Sequence, residues 1–261
     1  MSTCYVNCEK LGFIQEKIYD IAEDSEAIVE KITKMTVPQQ EEQLKNILGP
    51  WPNTYTFTKS MAERTLRKRR PQNMPVVLLR PAIISGSIRE PFPGWTDTVS
   101  AAGGLSIAGG TGLLEFVNGD VTNIADIIPV DYVSNAIIVS TALLANKPGL
   151  TVVHSSSSHQ NPITWSGYLT QGYSSVEKQP FSMQLAQPKI YFIKNTKLLK
   201  ALYYWRSKFP AMVIGKVAKI PGIGSPKLAS QMGQLQEAYK KLDDLYDLFK
   251  HFTMNEWIYE T

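Results

Sequence analysis

A tyrosine and a lysine, four residues apart, are the side chains in this sequence best placed to do chemistry. On a helix, the spacing of Tyr55 and Lys59 puts both side chains on one face. A phenol ordinarily keeps its proton at neutral pH. An ammonium ~6 Å away, at an effective dielectric of ~20, favours the phenolate by about 2.8 kcal/mol. The pair therefore suits a general acid acting on a carbonyl that receives hydride, with Lys59 also free to bond a cofactor's ribose.

By itself this spacing also fits an ordinary exposed helix pair, so the surrounding elements matter. The sequence predicts helices over residues 25–48 and 54–68, and strands over residues 75–81 and 150–154. After the apolar residues 127–130, Asp131 is a possible N-cap that opens a further helix to about residue 145. A short apolar run bounded by prolines, such as 75–81, is typical of a strand buried on both faces of a parallel sheet. The alternation of strands and helices predicts an α/β fold with a partial Rossmann-like, doubly wound parallel sheet.

The order of these elements resembles the extended short-chain dehydrogenases. In that superfamily, a Ser or Thr at a strand end precedes the Tyr-x3-Lys helix. A buried strand follows the helix, and the loop after its terminal proline covers the nicotinamide. Residues 2–6, a β-rich segment, match the first feature and residues 79–84 match the last. When Val6 is aligned with the superfamily's valine in this segment, Thr3 rather than Ser2 takes the position of the catalytic hydroxyl. A slip of one residue and a purely local role for Thr3 stay open. The predicted cofactor contacts are Tyr55, Lys59, Pro81, Ile83 and Ile84.

Five sequence blocks narrow the resemblance to the fatty acyl-CoA reductases. In the family's order they are PNTYTFTK (52–59), LRPAII (79–84), EPFPGW (90–95), ADIIPVD (125–131) and NPITW (161–165). The part up to Trp257 is similar to the start of the family's helical C-terminal domain, on less specific motifs. We therefore expect residues 1–184 to be a partial NAD(P)-binding reductase domain and residues 185–261 to be a basic helical C-terminal extension.

The resemblance implies an NADPH-dependent reduction of long-chain fatty acyl-CoA to a fatty alcohol through a bound aldehyde. In that scheme Tyr55 protonates the developing oxyanion, Thr3 shares its hydrogen bond, and Lys59 makes the phenol's proton easier to release. The loop of Pro91, Phe92, Pro93, Gly94 and Trp95 is expected to shape the acyl channel, or only to pack over the core. Two other readings stay open: another extended short-chain dehydrogenase, and a non-catalytic paralogue.

The chain departs from the family at its start. The family begins with a strand, a glycine-rich turn and a helix that hold the cofactor's pyrophosphate, and nothing before Thr3 supplies them. We therefore expect an N-terminally truncated domain that binds NADPH poorly. The origin of the truncation stays open, and an in-frame strand followed by Gly-x-x-Gly-x-x-Gly in the gene upstream of Met1 would settle it. The glycines of residues 103–112 lie downstream of the catalytic helix, so we interpret them as a loop.

The net charge of +4 is unevenly distributed. Residues 181–236 contain nine basic side chains and no acidic one, so the rest of the chain is net negative. This asymmetry indicates an anionic partner. The candidates are a membrane surface contacted through residues 189–227, the phosphates of CoA, nucleic acid, or only solvent. Beside a reductase domain, membrane or CoA contact is favoured and nucleic acid is not expected. The resemblance implies an intracellular location at the peroxisomal or endoplasmic reticulum membrane surface.

The sequence gives little support for a metal site or for a membrane-spanning helix. Cys4 and Cys8 have no histidine nearby, and the three histidines form no ligand spacing, so no metal site is predicted. Two cysteines in 261 residues suggest a reducing compartment, and Cys4 is expected to be a packed thiol. No apolar run reaches the ~18 residues of a spanning helix.

Overall fold

The computed structural model describes residues 1–98, 102–182, 184–220 and 223–261. The chain forms two compact units. The first consists of residues 1–104, 124–163 and 256–261, and the second of residues 105–123 and 164–255. Residues 105–123 and 164–184 thus lie in the same compact unit as most of the region after Gln184. The domain division predicted at residue 184 stays a prediction.

The first unit holds parallel pairs of strands and the helices around them. Its strands are β1 (Gly12–Ile14), β2 (Pro75–Pro81), β3 (Ile83–Ser85), β5 (Ile127–Pro129), β6 (Gly149–Ser155) and β8 (Trp257–Tyr259). Its helices are a 3-10 helix (Cys4–Asn7), α1 (Ser25–Thr33), α2 (Val37–Glu42), α3 (Leu44–Leu48), α4 (Thr54–Arg69) and α6 (Val130–Leu144).

Strands β2 and β3 follow one another along the chain, and each pairs with a different strand. β2 pairs with β6 in parallel, from Pro75 opposite Gly149 to Pro81 opposite Ser155. After Ala82 the chain continues as β3, which pairs in parallel with β5. Helix α6 connects β5, the partner of β3, to β6, the partner of β2. The α/β class and the parallel pairing predicted from the sequence are confirmed.

The second unit is mainly helical. It contains β4 (Phe116–Val117), β7 (Tyr191–Phe192), α7 (Trp165–Lys178), α8 (Thr196–Tyr203), a π-helical turn (Tyr204–Lys208), α9 (Phe209–Val217) and α10 (Pro226–Met254). Helix α5 (Ala102–Gly110) begins in the first unit and ends in the second. The core of the second unit consists of Ala108, Leu114, Phe116, Val117, Leu199, Tyr203 and Leu242.

Several predicted elements are corrected by the structure. The helix expected over residues 25–48 is three helices, and the second begins at Val37 with Pro38 in its first turn. Proline fits there because a helix leaves its first N–H groups without an internal acceptor. The helix expected to open at Asp131 begins at Val130, directly after strand β5, so its N-cap is Pro129. The glycines expected to form a loop lie in helix α5 up to Gly110.

The extension expected over residues 185–261 is not wholly helical, because it also contains strands β7 and β8. Strand β7 pairs in parallel with β4 in the second unit. Strand β8 returns to the first unit and pairs in parallel with β1, with Trp257 opposite Gly12. The first residues are corrected too, because the predicted strand end becomes a 3-10 helix directly after Thr3.

Within the described ranges, no helix combines the length and apolar character needed to cross a bilayer. The same ranges contain no group of three histidine, cysteine or acidic side chains arranged to hold a metal ion.

Candidate active site

Helix α4 carries Tyr55 and Lys59 in its first two turns. Asn53 caps the helix, and its side-chain oxygen accepts a hydrogen bond from the backbone N–H of Thr56 at 2.9 Å. The indole Nε1 of Trp51 donates to the carbonyl of Val6 at 3.0 Å. The cap by Asn53 fixes the residue at which α4 begins, and the hydrogen bond of Trp51 holds the start of the helix against the N-terminal segment. Together these two contacts determine where Tyr55 lies.

The phenol of Tyr55 is accessible to a ligand. Its side chain is 53% exposed. Lys59 is half-buried, and its Nζ donates to the backbone carbonyl of Met1 at 3.4 Å. The lysine therefore reaches the residues that immediately precede the predicted catalytic hydroxyl. The roles of Tyr55 and Lys59 stay a prediction.

Thr3 and Pro81 lie together at the end of strand β2. The hydroxyl of Thr3 donates to the carbonyl of Pro81 at 3.5 Å and accepts from the backbone N–H of Tyr5 at 3.4 Å. Both distances are long for hydrogen bonds, so the hydroxyl could turn to a ligand with little loss. The structure thus brings together two residues that the sequence predicts to lie around a nicotinamide.

Ser2 offers a second hydroxyl at the same place. Its backbone N–H donates to the carbonyl of Leu79 at 2.7 Å, which aligns the first residues with strand β2. Its side-chain oxygen is buried and has no hydrogen-bond partner within the described ranges. A buried hydroxyl without a partner is costly. Its presence beside Thr3 fits a site that receives a polar group, and the one-residue slip between Thr3 and Ser2 stays open.

The predicted cofactor contacts Ile83 and Ile84 lie in strand β3, and both are half-buried. The backbone N–H of Ile83 donates to the carbonyl of Asp126 at 3.0 Å. They follow Pro81 and Ala82 along the chain. A ligand in an open α/β sheet binds beyond the carboxyl ends of such strands. Their position is compatible with the predicted contact, which stays a prediction.

A buried charged network behind the site was not predicted from the sequence. Arg80, directly before Pro81, forms two hydrogen bonds with the carboxylate of Glu63 on α4, at 2.9 and 2.6 Å. Both side chains are buried. Arg80 Nη1 also donates to the carbonyl of Lys17 at 3.0 Å and lies 3.3 Å from His154 Nε2. An arginine inside an apolar strand was the only sequence signal, because a buried arginine requires a partner.

His154 completes this network in its neutral form. Its Nδ1 lies 2.9 Å from the carbonyl of Glu260, which can only accept, so Nδ1 carries the proton and Nε2 is left to accept from Arg80. Burial, the largest cause, lowers the pKa of His154 to about 4, and the charge of Arg80 lowers it further. The network therefore ties α4 to strands β2 and β6 behind the predicted reaction centre.

The loop that holds Pro91, Phe92, Pro93, Gly94 and Trp95 is shaped by Asp131. The carboxylate of Asp131 accepts from the backbone N–H groups of Ile88, Arg89 and Glu90, at 2.9 to 3.3 Å. Burial raises the pKa of Asp131, but these hydrogen bonds outweigh it and the pKa is lowered. Asp131 was predicted as a helix cap. It lies inside the first turn of α6 and supports the loop instead.

The loop presents apolar side chains beside a cleft. Phe92 is 59% exposed and Trp95 is half-buried. Gly94 has a φ of +83°, a conformation that favours glycine. A cleft of about 460 Å³ lies between this loop and the start of α6, lined by Glu90, Pro91, Trp95, Val130, Asp131, Ser134 and Asn135. None of the described hydrogen bonds joins this loop to Tyr55 or Lys59, and its role in binding an acyl group stays a prediction.

Cys4 is a packed thiol, as predicted. It is fully buried, and its Sγ donates to the carbonyl of Arg80 at 3.0 Å. Burial raises the pKa of this thiol well above its ordinary value. Because the thiolate is the reactive form of cysteine, Cys4 is suited to packing and not to nucleophilic chemistry.

Comparison with known proteins agrees with the resemblance seen in the sequence. Residues 1–137 match a family of NAD-binding domains described as male sterility protein. Fatty acyl-CoA reductase 2 of Homo sapiens is 28% identical over the whole chain and 49% of its own length. Probable fatty acyl-CoA reductase 5 of Arabidopsis thaliana is 31% identical over 97% of the chain and 56% of its own length. The chain thus spans about half the length of these relatives.

Two solved structures show a looser likeness. A UDP-glucuronic acid 4-epimerase from Bacillus cereus, in complex with NAD, has a TM-score of 0.38 and 15% identity, over 94% of this chain and 60% of its own. The terminal R domain of the myxalamid PKS-NRPS biosynthetic pathway has a TM-score of 0.33 and 18% identity, over 73% and 50%. On the family match, which covers just over half of its residues, the chain belongs to the male sterility protein family of NAD-binding domains.

Proposed function

We propose that this chain carries the reaction centre of an NADPH-dependent reductase that converts long-chain fatty acyl-CoA to a fatty alcohol through a bound aldehyde. The observation that carries the proposal is the position of the Tyr55–Lys59 helix beside the contact between Thr3 and Pro81, in a chain of this family. The names of the relatives supply the substrate class.

The residues present fit a nicotinamide at this position. The phenol of Tyr55 is exposed to polar ligand atoms, whereas the hydroxyls of Thr3 and Ser2 are buried. Thr3 has only long hydrogen bonds, and the Ser2 hydroxyl has no partner within the described residues, so both keep hydrogen-bonding capacity beside the predicted site. Pro81, Ile83 and Ile84 would supply the apolar side of the site, and Lys59 would bond the ribose. The cofactor, when bound, supplies the hydride.

Each reduction needs one proton placed on a carbonyl oxygen. Tyr55 donates a hydrogen bond to that oxygen and gives up its proton as negative charge develops there, while Thr3 donates a second hydrogen bond. After the first hydride reaches the thioester carbon, the oxygen releases its proton as the carbonyl re-forms and the carbon–sulfur bond breaks. The thiolate of CoA leaves with the electron pair of that bond and takes up the released proton, so this reduction consumes one proton in all. The second hydride and a second proton convert the aldehyde to the alcohol.

The proposal also places the protein at an intracellular membrane, peroxisomal or endoplasmic reticulum, where long-chain acyl groups and alcohols partition. The Pro91–Trp95 loop would contact the acyl chain, because its exposed Phe92 and half-buried Trp95 offer apolar surface beside a cleft.

The decisive experiment is a stoichiometry measurement on the full-length gene product. A saturated long-chain acyl-CoA is supplied with NADPH, the loss of NADPH is followed by absorbance, and alcohol and free thiol are quantified. We expect two NADPH oxidised and one thiol released for each alcohol formed. Release of aldehyde with one NADPH consumed, or turnover only with a sterol or nucleotide sugar, would contradict the proposal.

A further inference from the structure

Three consecutive helical segments of the second unit, α8, the π turn and α9, are buried along a narrow inner stripe. The stripe recurs at nearly every fourth residue and consists of Leu199, Tyr203, Ser207, Ala211, Gly215 and Ala218. It packs on α10: a Cβ at Gly215 would lie only 2.6 Å from Gln236 Nε2, which donates to the carbonyl of Ala211 at 3.2 Å. Most of the stripe residues have small side chains, so α10 covers little more than this one face of the three segments.

The opposite side carries large apolar side chains that stay about half exposed. Trp205 is 63% exposed, and the exposed fractions of Val213, Val217 and Ile220 are 40%, 41% and 45%. Each lies two residues, just over half a helical turn, beyond a member of the inner stripe. These four side chains, here called the apolar ridge, therefore point away from α10. A ridge of this kind marks an interaction site more often than it marks a solvated surface.

Basic side chains run along one side of the apolar ridge. Lys200, Lys216 and Lys219 each follow a stripe residue by one position, and all three are exposed. Within the described ranges none of them forms an ion pair, whereas Arg206 and Lys208 are paired with acidic residues of the same unit. With no acidic residue between positions 181 and 236, this flank keeps its positive charge.

We propose that α8, the π turn and α9 form a docking element for the surface of an anionic lipid bilayer. The apolar ridge inserts at the level of the headgroups, and Lys200, Lys216 and Lys219 contact anionic headgroups. This binding function is separate from the reductase chemistry and holds or fails independently of it. Residues 221 and 222 of the predicted membrane contact lie outside the described residues.

The composition of the ridge favours lipid over nucleic acid. Nucleic-acid surfaces use basic and aromatic side chains to contact phosphates and stack on bases. Three of the four ridge residues here are aliphatic, and aliphatic side chains gain by leaving water for the acyl boundary of a bilayer. A tryptophan beside lysines is the combination found at membrane interfaces, where the indole and the long lysine stems can each keep a polar end in water.

The test is sedimentation of the 261-residue chain with vesicles. Vesicles of phosphatidylcholine with about one third phosphatidylserine are compared with vesicles of phosphatidylcholine alone, in ~0.1 M and ~0.5 M salt. We expect binding to the anionic vesicles that weakens at high salt. Each basic residue near an anionic surface contributes about 1 kcal/mol, so Lys216→Gln with Lys219→Gln should lower the partition coefficient about 30-fold.

Matched variants in the first unit serve as controls. Lys45→Gln with Lys147→Gln removes the same charge from exposed positions and should change binding less than twofold. Trp205→Ser with Val213→Ser should weaken binding about tenfold or more, because two inserted apolar side chains are lost. Val37→Ser with Leu44→Ser, on exposed helix positions, should have no such effect.

A second measurement keeps the proposal testable if a ridge variant fails to fold. Brominated lipids should quench part of the tryptophan fluorescence of the unaltered chain, and Trp205→Phe should remove that part. Equal binding to neutral and anionic vesicles, equal loss in the control variants, or quenching unchanged by Trp205→Phe would overturn the proposal. Binding to a single-stranded RNA oligomer without vesicle binding would overturn it in favour of nucleic acid.

Discussion

At the scale of single residues, the least expected feature is a neutral histidine behind the predicted reaction centre. His154 is held by the carbonyl of Glu260 on one side and by the guanidinium of Arg80 on the other. Its charged form would be desolvated and would face a second positive charge. No local sequence pattern predicts a neutral His154, because its contacts with Arg80 and Glu260 depend on which strands become neighbours.

The lowered pKa of His154 makes a prediction for stability. The unfolded chain takes up this proton near pH 6.5, whereas the folded protein takes it up near pH 4. Between these values the unfolded state binds more protons, so stability is fully present above about pH 6.5 and is lost as the pH falls. At 1.36 kcal/mol per pH unit, the loss is roughly 3 kcal/mol by pH 4.

The measurement is the free energy of unfolding in urea, at several pH values, for the unaltered chain and His154→Gln. The variant should lack this part of the pH dependence. Subtracting the free energy of unfolding of the variant from that of the unaltered chain, at each pH, cancels the contribution of carboxylates that titrate in the same range. Glu16 is one of these, because burial raises its pKa. The exposed His159→Gln serves as the control. Parallel curves for the unaltered chain and His154→Gln would refute the assignment.

At the scale of elements, helix α4 and strand β2 are joined by the ion pair of Glu63 and Arg80. Each of these elements carries part of the predicted site: α4 holds Tyr55 and Lys59, and β2 ends at Pro81. The ion pair therefore fixes the separation of the two parts. A buried pair is costly to form, but breaking it leaves one charge without a partner.

We expect Arg80→Leu to destabilise the fold by about 3–5 kcal/mol, because Glu63 would remain buried without its partner. Replacing both residues with leucine should destabilise less than this single change. Urea unfolding of the three proteins measures both quantities. As a control, Lys34→Ala removes an exposed pair with Glu30 and should cost under about 1 kcal/mol. A double variant less stable than Arg80→Leu would contradict this account.

The elements nearest the site were also the easiest to predict. Asn53 before α4 and the prolines that bound β2 are local signals, and the structure places both elements within a residue of the expected ranges. The pairing of β1 with β8 joins three-residue strands from opposite ends of the chain and leaves no local pattern. The glycines of α5 were misjudged because a packed helix can override low intrinsic propensity.

At the scale of the whole molecule, the two units carry different chemistry. Tyr55, Lys59, Thr3 and Pro81 belong to the first unit, and the apolar ridge with its lysines belongs to the second. The sequence indicated the first region by its Tyr-x3-Lys motif and the basic stretch of the second by its charge composition, and both roles stay predictions. It could not predict that residues 105–123 join the second unit or that residues 256–261 return to the first, because both depend on long-range packing.

The most direct test of the proposed function is Tyr55→Phe in the full-length gene product, assayed for alcohol formation from a long-chain acyl-CoA with NADPH. Tyr132→Phe, another half-exposed tyrosine of the first unit, is the matched control. Because only the proton donor is lost, we expect Tyr55→Phe to lower kcat about 100-fold or more with little change in KM. The control should stay within twofold. A Tyr55→Phe protein that keeps at least half of the original kcat would contradict the central claim.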